Sequence, residues 1–160
     1  MSRLNKTYSL FLVCLIISMT FSCHQENNSL KNQSRVFNSY LKKNFNIQMP
    51  DEKHFYLFAP QKGCGGCRYV ALKTFFDSYK SNSHLTLIYD PFGPLPDSIM
   101  YLADTNRNLL IDYTGGMERL NLTVGSASLI ISEHQTIREI RTIDITINSK
   151  ELDKLWKSVR

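Results

Sequence analysis

Residues 54 to 76 read HFYLFAPQKGCGGCRYVALKTFF, and this stretch limits the fold more than any other. Phe55 to Ala59 is a short aromatic and apolar run ended by Pro60, the pattern of a buried strand running into a loop. From Cys64 the period changes. Val70, Leu72, Phe75, Phe76 and Tyr79 recur at helical spacing through about Lys80, so the two cysteines fall where a helix begins. Cysteines at i and i+3 of a first helical turn bring their Cα atoms to roughly 5–6 Å, inside the disulfide window.

Three kinds of chemistry fit such a pair. A staple across two residues constrains the unfolded chain little. Metal binding needs about four ligands, and the candidates His54, His84 and His134 stand singly on or beside strands. A redox pair explains most of the context. A helix N-terminus, with its partial positive charge and unpaired N–H groups, favours a thiolate at Cys64. Gly65 and Gly66 let backbone amides and a substrate approach, and Lys62 and Arg68 bring positive charge from either side. Cys64 is then the attacking thiol, and Cys67, one turn further in, the resolving thiol. The staple and the metal site remain alternatives at this point.

The N-terminus sets the compartment. MSRLNKTYSLFLVCLIISMTFSC has a basic start (Arg3, Lys6) and an apolar core from Leu10 to Ile17. That is the layout of an export signal, with a core too short to span a bilayer. Its ending, Thr20-Phe21-Ser22-Cys23, resembles a bacterial lipoprotein signal, so residues 1–22 are expected to be removed and Cys23 to carry lipid. The polar stretch that follows, within residues 23–34, suits a tether. Of the four cysteines, only Cys64 and Cys67 then remain for the folded domain over 35–160. That domain lies outside the cytosol, where disulfides persist. The chain has 19 Lys and Arg against 14 Asp and Glu. Without Arg3 and Lys6 the body keeps 17 against 14, with no basic stripe interleaved with aromatics, so no nucleic-acid partner is expected.

Along the rest of the chain, residues 30–45 place Val36, Tyr40 and Leu41 at helical spacing, with Phe37 and Phe45 nearby, and predict a helix on the domain edge. Leu85 to Tyr89 predicts a second strand, and Asp97 caps a short helix to about Ala103. Leu109 to Tyr113 is a third strand, followed by a turn at Gly115-Gly116 and a short helix over Met117 to Leu122. Leu129 to Ser132 and the alternating Ile137, Ile140, Ile143 and Ile145 make two further strands, the latter bent or bulged between Ile140 and Ile143. Lys150 to Val159 closes the chain as an amphipathic helix. This order predicts a mixed α/β sandwich around one central sheet. Phe55, Tyr56, Phe58, Phe75 and Phe76 are read as core rather than cleft, and Glu133 and His134 as surface.

A strand ending FYLFA, a CxxC opening a long helix, and then LTLIYD together resemble the thioredoxin fold. The later segment LLIDYTGGMERLNLTVGSASLIISEHQTIREI is similar to the TlpA/ResA-type branch, and the resemblance covers roughly residues 53–158. It implies a three-layer sandwich with a central mixed sheet and an N-terminal helix extension. It also implies thiol–disulfide exchange outside the cytoplasm, often as a reductant of partner proteins. The implied partners are protein thiols or disulfides in the envelope and a redox donor or acceptor, with no metal or organic cofactor. The membrane would be reached through the N-terminal lipid. The family's cis-proline loop faces the CxxC and corresponds here to Gly125-Ser126-Ala127-Ser128. The implied substrate groove is thus Gly65, Gly66, Ser126 and Ala127. A non-proline cis bond costs about 3 kcal/mol, so a trans bond is expected at Ala127. The family's tryptophan before the first cysteine is replaced by Gly63, and its buried acid on the preceding strand by Tyr56 or Phe58. A low-turnover binding or assembly lipoprotein and a thiolate metal carrier are the alternative functions.

Overall fold

The computed structural model describes residues 29–143, except 79, 81, 92, 93, 96, 123 and 124. The expected leader, Cys23 and the closing helix lie outside the described residues. A first helix, α1, spans residues 29–45, and so includes residues 29–34 of the stretch expected as tether. It is followed by β1 (His54–Ala59), α2 (Gly65–Ser78), β2 (Leu85–Tyr89), α3 (Asp97–Thr105) and β3 (Leu109–Ile111). The chain then forms α4 (Gly116–Arg119), β4 (Ser128–Glu133) and β5 (Thr136–Thr142). No helix among the described residues is long and apolar enough to cross a membrane.

β1 is buried at all six positions because it is the middle strand of a five-stranded sheet ordered β3-β2-β1-β4-β5. It pairs in parallel with β2, Leu57 opposite Leu87, and antiparallel with β4, Leu57 opposite Leu129. β2 pairs in parallel with β3, and β4 and β5 form an antiparallel hairpin. Side chains alternate across a strand. Phe55, Leu57 and Ala59 therefore pack with Ala71 and Phe75 of α2, while Tyr56 and Phe58 pack with Phe37 and Leu41 of α1. The result is the expected three-layer α/β sandwich with a mixed central sheet.

The structure moves three details. α1 is not at the domain edge: Phe37 and Leu41 are fully buried, and α1 covers the sheet face opposite α2. A strand that is apolar on both faces needs both layers. On α2 the buried stripe is Cys67, Ala71, Thr74, Phe75 and Ser78, with Val70, Leu72 and Phe76 half-buried beside it. The β5 irregularity lies at Arg138, not between Ile140 and Ile143, since Ile131 faces Glu139 but Ser132 faces Ile137. Ile137 and Ile140 serve the same core layer three residues apart, which an even alternation forbids and an extra residue permits. Ile140 and Ile143 serve opposite layers, and plain alternation does that.

A carboxylate ties α1 to the segment that follows β3. Asp112 is buried, and its Oδ2 accepts from the Tyr40 hydroxyl at 2.9 Å and from the Met117 N–H at 2.7 Å. Its Oδ1 accepts from the Thr114 hydroxyl at 2.7 Å and the Thr114 N–H at 3.2 Å. Burial pushes the Asp112 pKa up, but these bonds outweigh it and hold the group below the usual carboxylate range. Burial and the charge of Asp112 push the Tyr40 phenol well above its ordinary value, so it stays a donor. Tyr40→Phe keeps the ring and removes one charge-assisted bond, for an expected loss of about 1.5–3 kcal/mol in urea unfolding. Asp112→Ala orphans all the donors and is expected to cost more.

Candidate functional site

The site is built where β1 ends. Residues 60–64 form the loop to α2, whose first helical residue is Gly65. Cys64 therefore occupies the cap position, and its carbonyl accepts the Arg68 N–H at 3.0 Å. Cys64 and Cys67 form a disulfide with Cα atoms 5.2 Å apart. Cys64, Gly65 and Gly66 are exposed, whereas Cys67 is only 6% exposed and packs in the core beside Ala59, Ala71 and Ala127. The Cys67 N–H points at Cys64 Sγ, 3.2 Å away. Of the two sulfurs, Cys64 is thus the one open to attack and the one facing a helix N-terminal donor, which stabilises a thiolate after reduction.

The neighbouring positions are set by backbone contact. Gly63 has φ +117°, and a Cβ there would stand 1.7 Å from the Gly125 carbonyl oxygen. The chain at Gly63 lies directly against the loop before β4, which explains why no side chain stands ahead of the first cysteine. This contact also places the 125–127 loop beside the cysteine pair. Within it Ser126 is half-buried and Ala127 fully buried, and the Ser126–Ala127 peptide is trans. The Ala127 carbonyl accepts from the Ile143 N–H at 2.7 Å, continuing the β4–β5 pairing.

Arg68 departs from expectation. Its guanidinium lies over the Tyr89 ring at 4.7 Å and donates to the carbonyls of Gln61 at 3.4 Å and Asp90 at 3.2 Å. It clamps the active loop to the end of β2 rather than lending its charge to Cys64. Lys62 is exposed, and its N–H donates to Glu118 Oε1 at 3.5 Å. Glu133 and His134 lie at the opposite end of the sheet, beyond the pairing of Ser132 with His54. There Glu133 meets Arg138 at 3.7 Å.

Reading the sequence missed one residue. Asp90 follows β2, its N–H donates to the Ala59 carbonyl at 3.0 Å, and its side chain is 4% exposed. Among the described residues its Oδ2 has no hydrogen-bond partner. Burial, then the charges of Glu118 and Asp112, raise its pKa, against the opposing effect of the Gln61 N–H and Arg68. In the sequence it reads only as a strand-ending Asp-Pro, because its burial depends on α4, far along the chain.

The histidines do not gather with the cysteines. His54 is buried at the start of β1, with Nε2 2.9 Å from Thr86 Oγ1, and its ring centroid lies 6.3 Å from that of His84. His84 faces Glu52 at 4.0 Å. No group of three or more His, Cys, Asp or Glu among the described residues is placed to hold a metal ion. Of the expected aromatic core positions, Phe55, Tyr56, Phe58 and Phe75 are each at most 1% exposed, while Phe76 is half-buried against the same core.

No family model and no curated protein matches the chain. Among solved structures it is similar to an uncharacterized thioredoxin-like protein from Porphyromonas gingivalis, at 17% identity and a TM-score of 0.44. That match covers 71% of this chain and 78% of the other. It is also similar to StoA from Bacillus subtilis at 15% identity and a TM-score of 0.39, covering 68% and 84%. The mixed central sheet and the cysteine pair at the β1–α2 junction are as expected from the sequence, and the structure adds the strand order with β1 at its centre. The fold is a three-layer α/β sandwich around a mixed five-stranded sheet.

Two outcomes test this geometry. Gly63→Ala combines left-handed backbone with overlap on Gly125, for an expected loss of about 2–4 kcal/mol in urea unfolding. Burial, then His84, hold the His54 pKa down to about 4 from its ordinary value of 6.5. The folded state therefore excludes a proton that the unfolded chain accepts. Stability is full above pH 6.5 and falls as the pH drops toward 4, by about 1.4 kcal/mol per unit. His54→Gln, which keeps a polar partner for Thr86, flattens that part of the pH–stability curve.

Proposed function

We propose that this chain is a thiol–disulfide oxidoreductase that exchanges disulfides with protein partners through Cys64 and Cys67. The observation that carries the reading is the asymmetry of the pair: an exposed Cys64 sulfur receiving the Cys67 N–H at a helix start, bonded to a buried Cys67. A structural staple has no need of an exposed sulfur at a helix N-terminus. A metal carrier is opposed by the burial of its second thiol.

The reductive direction follows from the resemblance to the TlpA/ResA-type branch. The Cys64 thiolate attacks one sulfur of a partner disulfide, forming a mixed disulfide and releasing a partner thiolate that takes a proton from water. Cys67 then loses its proton to solvent and attacks Cys64 Sγ. The internal disulfide re-forms and the second partner thiolate leaves. Two electrons pass from the dithiol to the partner, and a dithiol donor must restore them. The leader-like residues 1–22 and Cys23 support placing this reaction in the bacterial envelope, on a lipid-anchored protein.

Cys67→Ala removes the resolving step, so it is expected to accumulate mixed disulfides through Cys64, visible on non-reducing gels and cleared by reductant. Cys64→Ala should trap none. In glutathione and dithiothreitol buffers the wild-type pair should titrate reversibly near about −250 mV or lower, whereas a value near about −120 mV marks an oxidant. A pair that forms no reversible disulfide sinks the reading.

A further inference from the structure

Beside the cysteine loop is an open cavity of about 770 Å³, lined among others by Gln61, Asp90, Tyr113, Gly115, Glu118 and Arg119. Its wall is shared with the redox site. Gln61 stands three residues before Cys64, the Lys62 N–H donates to Glu118, and Arg68 bridges the carbonyls of Gln61 and Asp90. The buried Asp90 carboxyl offers an oxygen with no hydrogen-bond partner among the described residues. Gly115 borders that oxygen: its φ is +59°, and a Cβ there would stand 3.9 Å from Asp90 Oδ2, in ordinary contact. Arg68 does not donate to this oxygen, since its bond goes to the main-chain carbonyl of the same residue.

We propose that this cavity receives a basic side chain, lysine or arginine, from the protein segment whose disulfide Cys64 attacks. The proposal rests on the disulfide-exchange reading and adds a substrate preference to it. An ammonium or guanidinium group supplies a donor to Asp90 Oδ2, which has none among the described residues, and its charge offsets the carboxyls of Asp90 and Glu118. The mutual repulsion of those carboxyls helps to raise the Asp90 pKa. A bound cation removes that repulsion. Tyr113, 72% exposed on the rim, offers an aromatic face to the same cation. Arg119 on the rim is the one opposing charge among these lining residues, and it makes the preference tunable in both directions.

The test uses pre-reduced full chain and pairs of disulfide peptides that differ only in lysine or norleucine close to the cysteine, followed by stopped flow. The lysine peptides should be reduced about five- to tenfold faster, with the gap shrinking at high salt. Glu118→Gln should narrow the gap and Arg119→Gln should widen it, each read as the ratio of the two peptide rates within the same variant. Asp90→Asn should remove most of the preference. Since that residue is buried, the two variants nearer the surface keep the test decisive if it fails to fold. Equal rates for the paired peptides, or a gap that neither Glu118→Gln nor Arg119→Gln moves, overturn the cavity's role and leave the exchange reading standing. No reduction of any peptide or of oxidised glutathione overturns both.

Discussion

Everything in this molecule is arranged around a strand that cannot touch water. β1 has no exposed position, and strand geometry sends its side chains alternately to two faces. One helix layer is therefore never enough. α2 must cover Phe55, Leu57 and Ala59, and α1 must cover Tyr56 and Phe58. Both edges must also be hydrogen-bonded, which β2 and β4 do. A strand held on four sides has little freedom at its C-terminal end, and that is where the loop to Cys64 begins. The position of the sulfur follows from the burial of the strand.

The same logic explains the reactive asymmetry. α2 lies on the sheet with its buried stripe starting at Cys67, so the second sulfur enters the core. Cys64, one turn earlier, stands at the cap, outside the stripe. Two glycines between them leave the cap unobstructed. The Gly63–Gly125 contact fixes the loop from behind without adding a side chain. One exposed cysteine and one sheltered one need no special device beyond the phase of one helix.

This part was legible in the sequence because it is local. The apolar run, the change of period at Cys64 and the cysteine spacing lie within about two dozen residues, and β2 fell on Leu85–Tyr89 as expected. What was not legible depends on distant residues. The apolar face of α1 is visible in Phe37, Tyr40 and Leu41, but its destination is the second face of β1, which a continuous apolar run does not reveal. The Tyr40–Asp112 bond joins positions 72 apart. The β5 bulge depends on which isoleucines serve which layer, and spacing alone pointed to the wrong pair.

Asp90 shows why such residues matter most at a site. As sequence it is an acid ending a strand before proline, the commonest of turn signals. In the fold it lies beside the loop before α2, with Arg68 occupied by its main chain, and burial, then the charges of Glu118 and Asp112, raise its pKa. A carboxyl oxygen with no donor among the described residues is costly in such a place, of the order of 1–3 kcal/mol, and a stable fold has easy ways to avoid it, such as a leucine. Its presence against the wall of a reactive loop therefore points outward, to something that arrives with the donor.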